Sequence, residues 1–282
     1  MKYILIFLLT FFIFQDLNAQ TLKLKPRKSN ALTGSEFAKS IGDSTLTLEQ
    51  RENLIFNEIK SGNVPDFLRK LTEIKDTTEI SNQTFIISYY VLPDYFAIGS
   101  NANFFYVPMT PILAQKVAYL SKCNLPTRKI VDQIYENAPI KLDPQPIPPT
   151  KAMTALPVFI VHNQMVNKQL LRYLSKHNDS ELTAGNKKDI IVSNKIYGEP
   201  TNRVVIYGWH KLDGKPIQPV YNKHINTWAD YSHGIRLVQS KVWVNGKKTS
   251  IAKVLTDKKL CVLLSDEGKI EKSFYPITEY KL

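Results

Sequence analysis

Most features that would announce a specialised class are scarce or missing. Two cysteines, Cys123 and Cys261, in 282 residues exclude a disulfide scaffold, because a chain this long buries enough surface to fold without staples. They form either one long-range disulfide or two buried thiols. After Phe14 no apolar run approaches the roughly 20 residues that a membrane-spanning helix requires, so no transmembrane segment is expected in the mature chain. No internal repeat is visible. Acidic side chains are few, 25 against 37 Lys and Arg, and the resulting charge of +12 favours an anionic polymer as partner, through an attraction that salt weakens. The remaining composition, 43% apolar and 22% charged, excludes disorder as the main state.

The N-terminus carries an address. Lys2, the apolar run Tyr3 to Phe14 and the small residue Ala19 have the layout of a secretory signal cut after residue 19. The protein is therefore expected to be secreted or periplasmic. Nucleic acid drops out of the expected partners, and an anionic extracellular or cell-wall polymer stays. Residues 20–34 are polar and basic with Pro26 and no apolar period, and read as a flexible leader.

Residues 35–138 read as a mixed N-terminal half. Thr47 and Gln50 make a capping box for a helix that stops at Gly62, and Phe67, Leu68, Leu71 and Ile74 suggest a second short helix. Thr84 to Val91, Tyr95 to Ile98 and Phe104 to Val107 have strand composition; Thr110-Pro111 and Pro126-Thr127 each start a helix. Five prolines between Pro139 and Pro149 make residues 139–151 a stiff linker. Beyond it, residues 152–282 read as strand Val158 to Val161, helix Asn167 to Lys176, strands Asp189 to Val192, Arg203 to Tyr207 and Ile235 to Val244, and a tail strand Leu260 to Leu264. Runs of strands with clustered helices predict an α+β fold with a mainly antiparallel C-terminal half. About 263 mature residues also fit one domain.

Three of the five histidines, His210, His224 and His233, fall within 24 residues, together with Asp230, Trp209, Trp228, Tyr221 and Tyr231. Polar groups between aromatic walls, on a loop joining two strand ends, make this segment the candidate site. One reading is a metal centre: His210, His224, Asp230 and His233 suit Zn²⁺ with an open position for a nucleophilic water, although their spacing matches no compact zinc signature. A second is metal-free, with His233 as general base oriented by Asp230 or Asp189. A third is a surface hairpin whose histidines bond only to backbone. Lys188, or Lys187, is placed to hold an anionic group; Trp209, Trp228, Tyr231 and Gln218 are placed to contact substrate. Cys123 precedes a helix start beside Lys122 and Arg128, which would lower a thiol pKa and make it a candidate nucleophile.

Ser232-His233-Gly234-Ile235 at the start of a strand is similar to the histidine strand of the NlpC/P60 cell-wall peptidases, which implies a cysteine nucleophile earlier in the chain; the Asn-Leu-Pro-Thr after Cys123 departs from that pattern. Over about Tyr90 to Gly268, segments such as Tyr207-Gly208-Trp209-His210, Pro216-Ile217-Gln218-Pro219 and Asp230-Tyr231-Ser232-His233-Gly234 resemble a family of secreted bacterial proteins with no assigned activity. That resemblance implies export and one folded unit. The expectation is an exported hydrolase of a cell-envelope or extracellular polymer, peptide-bearing or glycan. Its rivals are a non-catalytic binding module for anionic glycan and a Cys123-dependent amidase.

Overall fold

A computed structural model describes residues 20–178 and 180–280. The expected signal segment lies outside the described residues. Two capped helices open the fold, α1 (Gly34–Ser40) and α2 (Leu48–Ser61), each with a complete capping box, at Thr33/Glu36 and Thr47/Gln50. A long hairpin follows, β1 (Thr72–Ile80) and β2 (Gln83–Val91), turned by Ser81-Asn82, both in the left-handed region. Then come β3 (Ala97–Gly99), β4 (Phe104–Tyr106), α3 (Pro111–Leu120), β5 (Cys123–Asn124), α4 (Arg128–Asn137) and β6 (Ile140–Lys141). The C-terminal half holds α5 (Leu156–Tyr173), β7 (Thr183–Ala184), β8 (Lys188–Ile190), β9 (Ile206–His210), β10 (Pro216–Tyr221), β11 (His233–Gly234), β12 (Val238–Val244), β13 (Lys247–Ser250) and α6 (Ile251–Thr256).

The strands form one sheet in the order β1-β2-β12-β13, with β5 also on β12, a second in the order β10-β9-β8-β11, and the pairs β3-β4 and β6-β7. All pairings are antiparallel except β6-β7 and β8-β11. The fold is α+β. The larger apolar core runs from Leu22 through Phe105, Val131 and Ile190 to Tyr275, so it draws on both sides of the proline-rich segment. That segment is extended, and it is held: Leu142 is buried and the Ile147 N–H donates to Tyr231 Oη at 2.8 Å. The leader is likewise packed on the fold, with Leu22 buried and Arg27 Nε donating to Asn63 Oδ1 at 2.8 Å.

Three expected elements differ. The apolar run Val158 to Val161 lies inside α5 and not in a strand, because Pro157 starts a helix and His162, Val166 and Leu170 bury one face at four-residue spacing. Phe67 to Ile74 is a single 3₁₀ turn, Asp66–Leu68, followed by β1, since the alternation from Thr72 onward pairs in full with β2. Leu260–Leu263 is another 3₁₀ turn, anchored where Thr127 Oγ1 donates to the Leu264 carbonyl and Lys129 Nζ to that of Val262. Among the described residues no helix is long and apolar enough to cross a membrane.

Candidate functional site

The second sheet builds the site. Lys188 and Asp189 of β8 sit in register with His233 and Gly234 of β11 on one side and with Gly208 and Tyr207 of β9 on the other. Close packing demands a glycine at 234: a Cβ there would lie 2.4 Å from Tyr95 Cδ1 and 2.6 Å from Lys187 Cβ. In β9 the period-two alternation breaks. Gly208 and Trp209 have φ of 104° and 57°, a conformation costly for tryptophan and of the kind that clusters at functional sites. The consequence is geometric. Tyr207 and His210, three apart, reach the same partner, while Trp209 turns into the interior.

That partner is Asp132 on α4. Tyr207 Oη donates to Asp132 Oδ1 at 2.7 Å, and His210 Nε2 lies 3.1 Å from the same oxygen. Arg128, one turn earlier, approaches the other oxygen at 3.8 Å and stacks over the Tyr207 ring. The Tyr135 ring lies flat on His210, centroids 4.6 Å apart, and Lys141 Nζ lies 4.9 Å from the Tyr135 ring centroid. With the carboxylate accepting, Nε2 carries the imidazole proton and Nδ1 the lone pair. The pair lines an open groove of about 430 Å³, together with Glu136, Lys141 and Pro216. Asp189 stands behind His210. Its Oδ2 accepts from Tyr95 Oη at 2.6 Å, and burial pushes its carboxyl up to about 6, against the pull of Arg236 and Tyr95.

Trp209 faces a second, enclosed cluster. Its ring meets His162 and Tyr231, both with centroids 6.2 Å away, and Lys188 Nζ lies 5.2 Å above it. Lys188 ion-pairs with Asp230 at 3.6 Å; His233 Nε2 is 3.8 Å from the same Asp230 oxygen, and Ser232 gives that residue's other oxygen both its N–H and its hydroxyl. Burial works against the charge on Asp230, but His233, Lys188 and the Ser232 donors outweigh it and hold the carboxyl well below the usual range. His233 is fully enclosed; burial, helped by Lys188 and His224, drops it to about 4, so it is neutral at pH 7. Lys187 is buried too, bonded to the Tyr231 carbonyl at 2.7 Å and to His162 Nδ1 at 3.0 Å, and burial lowers it to about 7.

The sequence-nominated residues therefore separate. His233, Asp230, Lys188, Trp209 and Tyr231 meet in the enclosed cluster. His224 stacks on Trp228 at 4.6 Å at its margin. His210 belongs to the groove. The proposed zinc ligands do not assemble, because His210 is committed to Asp132; among the described residues no three His, Cys, Asp or Glu are grouped to hold a metal ion. Gln218 pairs opposite Gly208 and spends its amide on the Pro219 carbonyl. Cys123 and Cys261 are both free and buried, so the long-range disulfide does not form. Cys123 sits on β5 against β12, and burial raises its thiol to about 11, opposite to the shift that a nucleophile needs; the neighbouring cations do not reach it.

Asp132, Tyr207, Tyr135, Tyr95 and His162 were not singled out as site residues by pattern. Arg236 donates to the Leu92 and Thr183 carbonyls at 2.9 and 2.6 Å and stacks on Tyr95 at 4.2 Å. The chain matches no protein-family model, no curated protein and no solved structure. The functional reading therefore rests on the residues themselves.

Proposed function

We propose that the protein is an exported hydrolase of an anionic cell-envelope or extracellular polymer, acting by metal-free general acid–base chemistry in the groove at His210. One observation carries this reading: the strained Gly208-Trp209 turn places His210 Nε2 and Tyr207 Oη on the same oxygen of Asp132 at the wall of an open groove. A carboxylate that fixes the tautomer and steadies the imidazolium is what a histidine base requires. His210 is itself buried, 3% exposed, so only an edge of its ring borders the groove; among the described residues no protein group bonds Nδ1, and in this reading that nitrogen takes a proton from an attacking water. Tyr135, Tyr207 and Lys141 offer flat and cationic surface for a sugar or peptide chain bearing negative charge. His233 is a poor candidate for direct contact, since its ring is wholly enclosed; its cluster with Asp230, Lys188 and Lys187 supports β8 and β11 beneath the groove.

The same aromatic and cationic wall, Lys141 over Tyr135 over His210, also favours a non-catalytic glycan-binding module. The two readings separate in one experiment. Residues 20–282 are incubated with isolated cell walls and with soluble acidic glycans, and released reducing ends and amines are counted. Release by the parent that falls by roughly 10²–10⁴ in His210→Ala and in Asp132→Asn, with circular dichroism unchanged, supports the enzyme. Binding without release in all three proteins refutes it and leaves the binding module.

A further inference from the structure

A second cavity, of about 300 Å³, lies away from the His210 groove, between α1, α2, the start of α5 and the loop that runs into Asp230. Its walls are apolar: Ile41, Ile55, Phe105, Leu156 and Phe159 among others. Polar character is confined to a few groups. Arg51 lines it, spending Nε on the Ile41 carbonyl at 3.3 Å and Nη2 on that of Asp43 at 3.4 Å, and among the described residues no carboxylate is in salt-bridge contact with it. Trp228 forms part of the wall, and its buried indole N–H, which can only donate, has no acceptor among the described residues. Glu52 also borders the space, but its two oxygens are taken by the Thr110 N–H and hydroxyl, both at 2.7 Å. An apolar pocket edged by a guanidinium whose hydrogen bonds go only to backbone carbonyls, and by an indole N–H with no acceptor among the described residues, is complementary to an apolar chain with one acidic head.

We propose that this cavity binds a straight-chain monocarboxylate of medium length, its alkyl chain among Ile55, Leu156 and Phe159 and its carboxylate taken by Arg51 and the Trp228 indole. This site does not depend on the hydrolase reading. The volume sets the chain length. A water's share of liquid volume is about 30 Å³, so the space holds roughly ten non-hydrogen atoms. Each methylene that enters the walls strengthens binding about fourfold, and methylenes beyond the filled volume add nothing.

The test is calorimetric titration of residues 20–282 with hexanoate, octanoate, decanoate, dodecanoate and tetradecanoate, each below its micelle concentration. One saturable site is expected, with affinity rising steeply to about octanoate and then levelling. Trp228→Phe keeps the ring and drops the donor, so it weakens binding by roughly two- to tenfold. Arg51→Gln removes the preference for octanoate over octanol. Thr154→Trp, made at the half-exposed rim so that folding survives, blocks entry. An affinity that keeps climbing through tetradecanoate, or that is the same in Thr154→Trp and Trp228→Phe as in the parent, identifies surface adsorption and overturns the proposal; so does absence of binding across the series.

Discussion

Burying Lys187 makes the stability of this protein depend on pH in a direction opposite to acid-unfolding intuition about lysine. In the unfolded chain its amine titrates near 10.5, whereas in the fold burial lowers it to about 7. Between those values the unfolded state binds a proton that the native state does not, so unfolding becomes harder as pH rises. Integrated from pH 7 to pH 9, the gain is about 2 kcal/mol. With a urea slope of about 3 kcal/mol/M for a domain of this size, the unfolding midpoint should move up by about 0.7 M. Lys187→Met keeps the length of the side chain and removes the titration, so its midpoint should stay flat over the same window. The tyrosines with raised pKa, such as Tyr95, act at higher pH, and the raised thiol of Cys123 opposes the gain only near the top of this window, by a fraction of it. A parent whose midpoint is flat or falls from pH 7 to 9, or a Lys187→Met variant that rises in parallel with it, refutes the assignment of a buried, proton-poor lysine.

Gly234→Ala should cost about 1–3 kcal/mol through overpacking against Tyr95 and Lys187, read as a lower urea midpoint with unchanged slope. Tyr95→Phe removes the donor to Asp189 and leaves a buried carboxylate short of a partner; a loss of about 1–3 kcal/mol at pH 7 is expected from the same assay. Both thiols should resist iodoacetamide in the native protein and react at once in urea, with an enclosed, protonated Cys123 reacting no faster than Cys261.

What pattern reading reached and what it missed follow from where the information is stored. The capping boxes at Thr47 and the Thr110-Pro111 helix start were legible because the cap and the first turn are local events. The run Val158 to Val161 was not, since four consecutive apolar residues fit a buried strand or one turn of a helix equally, and the contacts of His162, Val166 and Leu170 decide it. Three histidines close in sequence invited a metal site. The left-handed Gly208-Trp209 turn and the separate strands part them instead: His210 borders the groove from β9, and His233 is enclosed on β11. Asp132 was invisible for another reason. It is one of two carboxylates, with Glu136, on the polar flank of an amphipathic helix, and only the packing of α4 beside β9 gives it a histidine.

The left-handed Gly208-Trp209 pair also reverses an ordinary rule about tolerance to length change. In a regular strand, losing one residue throws every later side chain to the opposite face and destroys the pairing. Here the chain already runs out of phase with itself, so a deletion at 208 would put Tyr207 and His210 two apart, the spacing at which a regular strand carries both side chains to one face, with Trp209 still on the other. The fold thus carries a built-in frame, in which two residues decide which of two neighbouring rings is outward and which is in.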